Sequence, residues 1–224
     1  MTTTLTAAQI QHEGLADWVL VVRALEARYE TNGFATGLEL VARIGAAAEE
    51  ADHHPDVTLT WPTVLVRLWS HDSRGVTERD IALARRISAI AQELGVVATP
   101  ARTQNLELCL DTADIKATGP FWAAVLGYVW DEEHLEIVDP DGRMPTTWFQ
   151  QTDAPSESTR EPRQRWHLDI HVDPAVADQR IDAALAAGGV LVSDEEAPSF
   201  TILADAEGNR VCVCTWQSAA QTIA

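Results

Sequence analysis

The chain has 224 residues, of which 16 are basic and 34 acidic, so its formal net charge is −18 at neutral pH. This length allows one large domain or two small ones. The negative charge argues against nucleic acid or an anionic membrane as a direct partner, because both bind positively charged surfaces.

The first 51 residues predict a short helix, two strands and a longer helix. Thr6 is the predicted N-cap of the short helix. Trp18–Val22 and Ala24–Tyr29 are rich in valine and aromatic residues, which favours strands. Gly33–Ala51 has helical periodicity. The predicted buried face of this helix consists of Leu38, Val41, Ala42, Gly45 and Ala48.

Two strands and one more helix follow. Val57–Trp61 and Val64–Trp69 are predicted strands. Thr77 begins the helix, because its spacing from Asp80 fits a capping box, and Gly95 ends it. Strands with interleaved helices on one face predict an α+β two-layer sandwich.

Three of the seven histidines, His53, His54 and His71, lie in one stretch rich in carboxylates. Pro55 disfavours helical geometry in the residue before it, so the histidine pair is predicted where a helix ends and a strand begins. Histidine titrates near neutral pH, and three together indicate proton transfer. A zinc site is the alternative, but adjacent side chains in an extended segment diverge.

The spacing in this stretch resembles that of the pterin-4a-carbinolamine dehydratase family. The family motif is an acidic residue, three residues, His-His-Pro, five residues, an aromatic residue, nine residues, His, and then Asp. Those positions hold Glu49, His53 to Pro55, Trp61, His71 and Asp80. The aromatic residue is Trp, where the family most often has Tyr. The resemblance covers about residues 1–95.

This resemblance implies a hydro-lyase, 4a-hydroxytetrahydrobiopterin dehydratase, that needs no cofactor. Its substrate is pterin-4a-carbinolamine, its product is quinonoid dihydropterin, and the reaction belongs to tetrahydrobiopterin recycling. His53, His54 and His71 are the predicted catalytic residues. His54 and His71 are assigned to proton transfer, and His53 to binding the pterin or sharing the acid role.

Glu49, Trp61 and Asp80 are the predicted substrate-binding residues. The two carboxylates could orient imidazoles or hold the amide edge of the pterin, and Trp61 could form an aromatic wall. The structural alternatives are a solvated helix end for Glu49, a helix cap for Asp80 and a core position for Trp61. The family also implies an antiparallel sheet with helices on one face, and a homo-oligomer, either a dimer or a tetramer.

Val96–Thr103, with Pro100 at its centre, is the predicted linker between domains at 1–98 and 104–224. The charge is uneven across it: residues 1–98 carry eight basic and thirteen acidic residues, and residues 99–224 carry eight and twenty-one. This shift in composition supports two units.

The second half contains a weak internal repeat. Two strand–helix–strands units, joined by a polar loop at Thr152–Arg165, are predicted to enclose one cavity. The matching segments are Leu106–Asp111 with Leu168–Asp173, Gly127 with Gly189, and Asp139–Arg143 with Asp205–Asn209. The repeat and the sequence F-W-A-A-V-L-G-Y resemble the glyoxalase-like branch of the vicinal-oxygen-chelate superfamily, over about residues 104–217. This implies a paired βαβββ domain.

Members of that superfamily often bind a divalent metal with four residues. The corresponding positions here are Asn105, Gln150, His167 and Cys212. Only His167 is a usual ligand for an oxygen- and nitrogen-rich site, so no metal is predicted and His167 is the one candidate. Asp169 and His171 share its face of the strand, which keeps metal binding possible.

The three cysteines, Cys109, Cys212 and Cys214, give no disulfide framework and are interpreted as small buried residues rather than redox or metal groups. The chain has no run of about 18 apolar residues and no signal pattern at its N-terminus, so a soluble, cytoplasmic protein is predicted. A bacterial source is predicted as well. Two alternative functions stay open. One is a non-catalytic pterin-binding or protein-assembly module, and the other is a glyoxalase- or dioxygenase-like activity of the second half.

Overall fold

The computed structural model describes residues 3–152, 166–186, 189–204 and 210–217, without the side chains of residues 121, 124–126 and 167. The chain forms two compact units, residues 1–104 and 105–224. None of the described helices is long and apolar enough to cross a membrane.

The first unit is an antiparallel sheet with two long helices on one face, which confirms the predicted α+β fold. The elements are α1 (Ala7–His12), β1 (Trp18–Val21), β2 (Ala24–Glu30), α2 (Phe34–Ala51), β3 (Asp56–Thr60), β4 (Thr63–Leu68), α3 (Glu78–Glu93) and β5 (Val97–Ala98). The strand order is β1-β2-β4-β3, and β5 also pairs with β2. Helices α2 and α3 pack on the sheet over a single apolar core.

Strand alternation separates the two faces of this sheet. Tyr29 pairs with Val64 across β2 and β4, and both side chains are fully buried under the helices. Glu26 pairs with Arg67 in the same ladder, and their charged ends form an ion pair of 3.7 Å. Successive side chains on a strand point to opposite faces, so the apolar set lies under the helices and the charged set on the other side.

The buried face of α2 differs from the predicted one. Leu38 is 51% exposed, whereas Leu40 and Ile44 are fully buried. Apolar residues surround much of this helix, so periodicity alone does not choose between two stripes, and packing on the sheet buries the stripe with Leu40 and Ile44. Gly37 also faces the sheet, where an added Cβ would lie 2.5 Å from Leu59 Cδ1.

The predicted linker is part of the first unit. Val97–Ala98 pairs with β2, and Pro100–Arg102 forms one turn of 3-10 helix. The Thr99 N–H donates to the Arg28 carbonyl at 2.7 Å, and Arg102 forms an ion pair with Glu30 at 3.2 Å. The stretch is therefore folded onto the sheet rather than extended between domains, and the compact unit ends at residue 104.

The second unit contains two βαβββ repeats in one eight-stranded sheet, as the repeat predicts. The first repeat is β6 (Gln104–Thr112), α4 (Ile115–Leu126), β7 (Val129–Asp131), β8 (Glu136–Val138) and β9 (Thr147–Gln151). The second is β10 (Trp166–Val172), α5 (Pro174–Ala186), β11 (Val190–Ser193), β12 (Phe200–Ala204) and β13 (Arg210–Cys214). The strand order is β11-β12-β13-β10-β6-β9-β8-β7, with β6 parallel to β9 and β10 parallel to β13. The Asp205–Asn209 turn and residues 153–165 of the predicted loop lie outside the described residues.

Candidate active site

The histidine pair lies at the junction of α2 and β3, as Pro55 predicts. Asp52 ends the helix in the left-handed region with φ of 47°, a conformation that Asp and Asn adopt more readily than most residues. The His53 N–H then donates to the Ala48 carbonyl at 3.1 Å, which closes the helix end. The chain leaves the helix with His53 buried and His54 exposed.

His71 lies on a short loop between β4 and α3. The Ser70 N–H donates to the Gly75 carbonyl at 2.9 Å and closes the base of this loop. Asp72 forms an ion pair of 2.6 Å with Arg79 on α3, and this hydrogen bond lowers the pKa of the Asp72 carboxyl. The loop is thereby attached to the helix that follows it, and the His71 side chain is exposed.

Asp80 is the centre of a buried hydrogen-bond network in the first turn of α3. Its side chain is 0% exposed. Its Oδ1 accepts from His53 Nε2 at 2.7 Å, and its Oδ2 accepts from the Thr77 N–H at 2.7 Å. The hydroxyls of Ser70 and Thr77 lie 2.8 and 3.0 Å from the same Oδ2. Each of these groups can donate a hydrogen bond to a carboxylate oxygen.

The Asp80 carboxylate brings the two histidine-bearing segments together. His53 directly precedes His54, and Ser70 directly precedes His71. Because His53 and Ser70 both bond to Asp80, the chain segments that carry all three histidines are fixed to one buried group. The predicted capping box at Thr77 is confirmed, and the same carboxylate that completes it also holds His53.

His54 forms a hydrogen bond with Glu49, which lies in the last turn of α2. His54 Nε2 donates to Glu49 Oε1 at 3.1 Å, with the two side chains 57% and 80% exposed. Exposed pairs of this kind contribute little to stability. Because both side chains are largely exposed, the imidazole and the carboxylate remain accessible to solvent and to a ligand.

Two tryptophans flank this region in different ways. Trp61 lies in the turn between β3 and β4 and is 72% exposed, so the alternative of a core position is wrong. The Trp69 ring lies 4.2 Å from the His71 ring, tilted by 52°. Trp69 was not among the predicted site residues. The sequence signal for it was strand alternation, which places Arg67 and Trp69 on one face of the predicted strand.

In the second unit, polar side chains line the sheet face opposite the helices. His171 Nε2 donates to Glu107 Oε2 at 2.9 Å, and Trp148 Nε1 donates to Asp169 Oδ2 at 3.1 Å. Of the residues with described side chains, no three His, Cys, Asp or Glu groups are placed to hold a metal ion. The His167 side chain lies outside that set, although its backbone belongs to β10.

The thiols of this face are held in the protonated form. Burial and the nearby Asp169 carboxylate raise the pKa of Cys212 to about 12. Burial also raises the pKa of Cys109 and of Cys214. Because the thiolate is the nucleophile, these cysteines are poorly suited to nucleophilic chemistry at neutral pH.

Comparisons with known families match the two units separately. The family model described as "Pterin 4 alpha carbinolamine dehydratase" matches residues 3–90, and the one described as "Glyoxalase-like domain" matches residues 107–214. A curated relative from Koribacter versatilis, named "Putative pterin-4-alpha-carbinolamine dehydratase", is 39% identical over 92 residues, covering 40% of this chain and 98% of the relative.

Two solved structures are each similar to part of this chain. A transcriptional coactivator/pterin dehydratase from Brucella melitensis is 32% identical and covers 40% of this chain and 99% of its own, with a TM-score of 0.38. A glyoxalase/bleomycin resistance protein/dioxygenase superfamily member from Vibrio splendidus is 14% identical and covers 50% of this chain and 99% of its own, with a TM-score of 0.33.

Proposed function

Because this chain belongs to the pterin-4a-carbinolamine dehydratase family, we propose that it dehydrates 4a-hydroxytetrahydrobiopterin to quinonoid dihydropterin. The observation that carries the proposal is the attachment of the His53 and His71 segments to one buried carboxylate, Asp80. The direct test is stopped-flow mixing of the protein with freshly generated carbinolamine, followed by the appearance of the quinonoid product.

The reaction needs one proton delivered and one removed. The bond between C4a and the hydroxyl oxygen breaks, the departing hydroxide takes a proton to become water, and a ring nitrogen loses one. His54 and His71 are both exposed imidazoles, which allows each to reach a substrate and to exchange protons. One positioned acid and one positioned base then complete the reaction without a metal.

We assign Asp80 to orienting His53 rather than to contacting the pterin. Both of its oxygens already accept hydrogen bonds and its side chain has no exposure, so no lone pair faces solvent. A carboxylate that accepts from Nε2 fixes the imidazole in the tautomer with hydrogen on that nitrogen. The Glu49 carboxylate bonds to His54 but is 80% exposed, so it can also accept from the donor-rich amide edge of the pterin.

Trp61 is the exposed aromatic surface on which the flat ring can lie. Replacing Trp61 with alanine is expected to raise the KM for carbinolamine about fivefold, the loss of one aromatic contact. The kcat and the thermal melting temperature should change little, because the side chain is 72% exposed. Met144→Ala, which removes an exposed apolar side chain from the second unit, is the control. An unchanged KM in Trp61→Ala would remove this residue from the site.

The first unit is expected to work alone when its full sheet is retained. Every residue assigned to the pterin lies between Glu49 and Asp80, so a fragment of residues 1–104 should fold, self-associate into a dimer or tetramer, and keep most of the dehydratase activity. A fragment of residues 1–96 lacks β5 and the bonds that Thr99 and Arg102 make to β2, and should melt at a lower temperature.

Light scattering and stopped-flow rates of the two fragments and of the full chain test this expectation. A folded but inactive 1–104 fragment, beside an active full chain, would show that the second unit is needed for the reaction.

A further inference from the structure

We propose that Ser70 is a positioning residue for this reaction: its hydroxyl fastens the His71 loop to the Asp80–His53 pair. The inference rests on the proposed dehydratase function. Ser70 does not belong to the histidine motif that indicated the site, and it needs no contact with the pterin to act in this way.

The backbone of Ser70 already fixes the base of the loop. Its N–H donates to the Gly75 carbonyl at 2.9 Å, and its own carbonyl accepts from the N–H of Ser73 at 3.1 Å. The residue that carries these bonds is adjacent to His71, so its position sets where the His71 backbone begins. The loop is therefore well defined at the point where the proposed proton-transfer residue leaves it.

The side chain of Ser70 connects this loop to a different part of the fold. Its hydroxyl is buried and lies 2.8 Å from Asp80 Oδ2 and 2.9 Å from the Thr77 hydroxyl. Asp80 in turn accepts from His53 at 2.7 Å. One hydroxyl thus lies between the loop of one proposed catalytic histidine and the carboxylate that orients another.

Removal of the Ser70 hydroxyl would affect both the Asp80–His53 pair and the His71 loop. Asp80 Oδ2 would lose one of its donors while it keeps the Thr77 N–H at 2.7 Å, so the carboxylate would stay in place but gain freedom to rotate. His53 would then be held less tightly, and the His71 loop would lose its side-chain attachment to α3. A residue that only filled space would produce neither effect when its oxygen alone is removed.

The test compares Ser70→Ala with Ser88→Ala in the full-length protein. Ser88 is a half-buried serine on α3 whose hydroxyl accepts from Trp18 Nε1 at 3.0 Å, so the same atom is removed from a hydrogen bond elsewhere in the unit. Ser70→Thr, which keeps the hydroxyl, is the conservative variant. The readouts are kcat and KM for carbinolamine by stopped flow, and the ring nitrogen chemical shifts of His53 by NMR.

Ser70→Ala is expected to lower kcat about tenfold, the effect of one hydrogen bond to a charged group, with KM unchanged. The His53 nitrogen signals should move towards a mixture of tautomers. Ser88→Ala should leave both readouts at wild-type values, and Ser70→Thr should restore them towards wild type.

If the wild-type protein is active and Ser70→Ala keeps the wild-type kcat and unshifted His53 signals, the positioning role of Ser70 is wrong and the proposed dehydratase function is unaffected. Equal losses in Ser70→Thr and Ser70→Ala would also overturn that role, because the hydroxyl would then not be the cause. A wild-type protein without dehydratase activity would overturn the proposed function, and the inference with it.

Discussion

Replacement of Asp80 by asparagine is expected to lower the free energy of unfolding by about 2–4 kcal/mol, because a buried network loses its charged acceptor. The asparagine has one acceptor and one donor group. If its NH₂ takes the place of Oδ2, it meets the Thr77 N–H, where a donor already points, and if it takes the place of Oδ1, the His53 imidazole must move its hydrogen from Nε2 to Nδ1. Urea denaturation of the two proteins measures this loss.

The same substitution should lower the dehydration rate by at least about tenfold, since the orientation of His53 depends on that carboxylate. Asp178→Asn is the control, because Asp178 is an exposed aspartate on α5. It should leave stability and rate nearly unchanged. An Asp80→Asn protein as stable as wild type would show that the network does not have the strength assigned to it.

Alanine at His54 or at His71 is expected to lower the dehydration rate by at least about tenfold in each case, because each residue is assigned one of the two proton transfers. Both side chains are exposed, so neither substitution should lower the free energy of unfolding by more than about 0.5 kcal/mol. This combination separates a catalytic role from a structural one.

His12→Ala provides a matched control for these two variants. His12 is an exposed histidine at the end of α1, where its Nδ1 lies 2.7 Å from the Ala8 carbonyl. Its removal should leave the rate unchanged. Near-wild-type rates in both His54→Ala and His71→Ala would exclude the proposed proton-transfer pair.

Local signals predicted much of the first unit. Thr6 and Thr77 cap helices as their spacing indicates, and Pro55 marks the helix–strand junction that carries the histidine pair. These features depend on interactions within a few residues of the chain, so the sequence contains them directly. The βαβββ repeats of the second unit were predictable for a related reason, since each half contains its own copy of the pattern.

Features that depend on distant pairing were not predicted. The choice between the Leu38 face and the Leu40 face of α2 is made by the sheet beneath it. Val97–Ala98 becomes a strand because β1 pairs with β2 only as far as Ala27 and leaves Tyr29 and Glu30 to pair with it. Trp69 was not predicted as a site residue, because its position against the His71 ring depends on the loop that follows β4.

In the candidate site, too, local features were predicted from the sequence and contacts between distant residues were not. Motif spacing selected His53 and Asp80 but left the role of the carboxylate open between the imidazole and the pterin. The two residues lie 27 positions apart, and the contact between their side chains, at 2.7 Å, depends on how α3 packs beside the end of α2. Ser70 gave no signal at all, because a serine beside a histidine is unremarkable until its hydroxyl is seen next to Asp80.

The central claim is that the histidines held around Asp80 catalyse loss of water from a pterin carbinolamine. Stopped-flow absorbance with freshly generated 4a-hydroxytetrahydrobiopterin tests it most directly, using the full-length protein and a folded His54→Ala/His71→Ala double variant. We expect quinonoid dihydropterin to appear at a rate proportional to wild-type protein concentration, and the double variant to match buffer. Product formation at the buffer rate with the wild-type protein, or at the wild-type rate with the double variant, would contradict the claim.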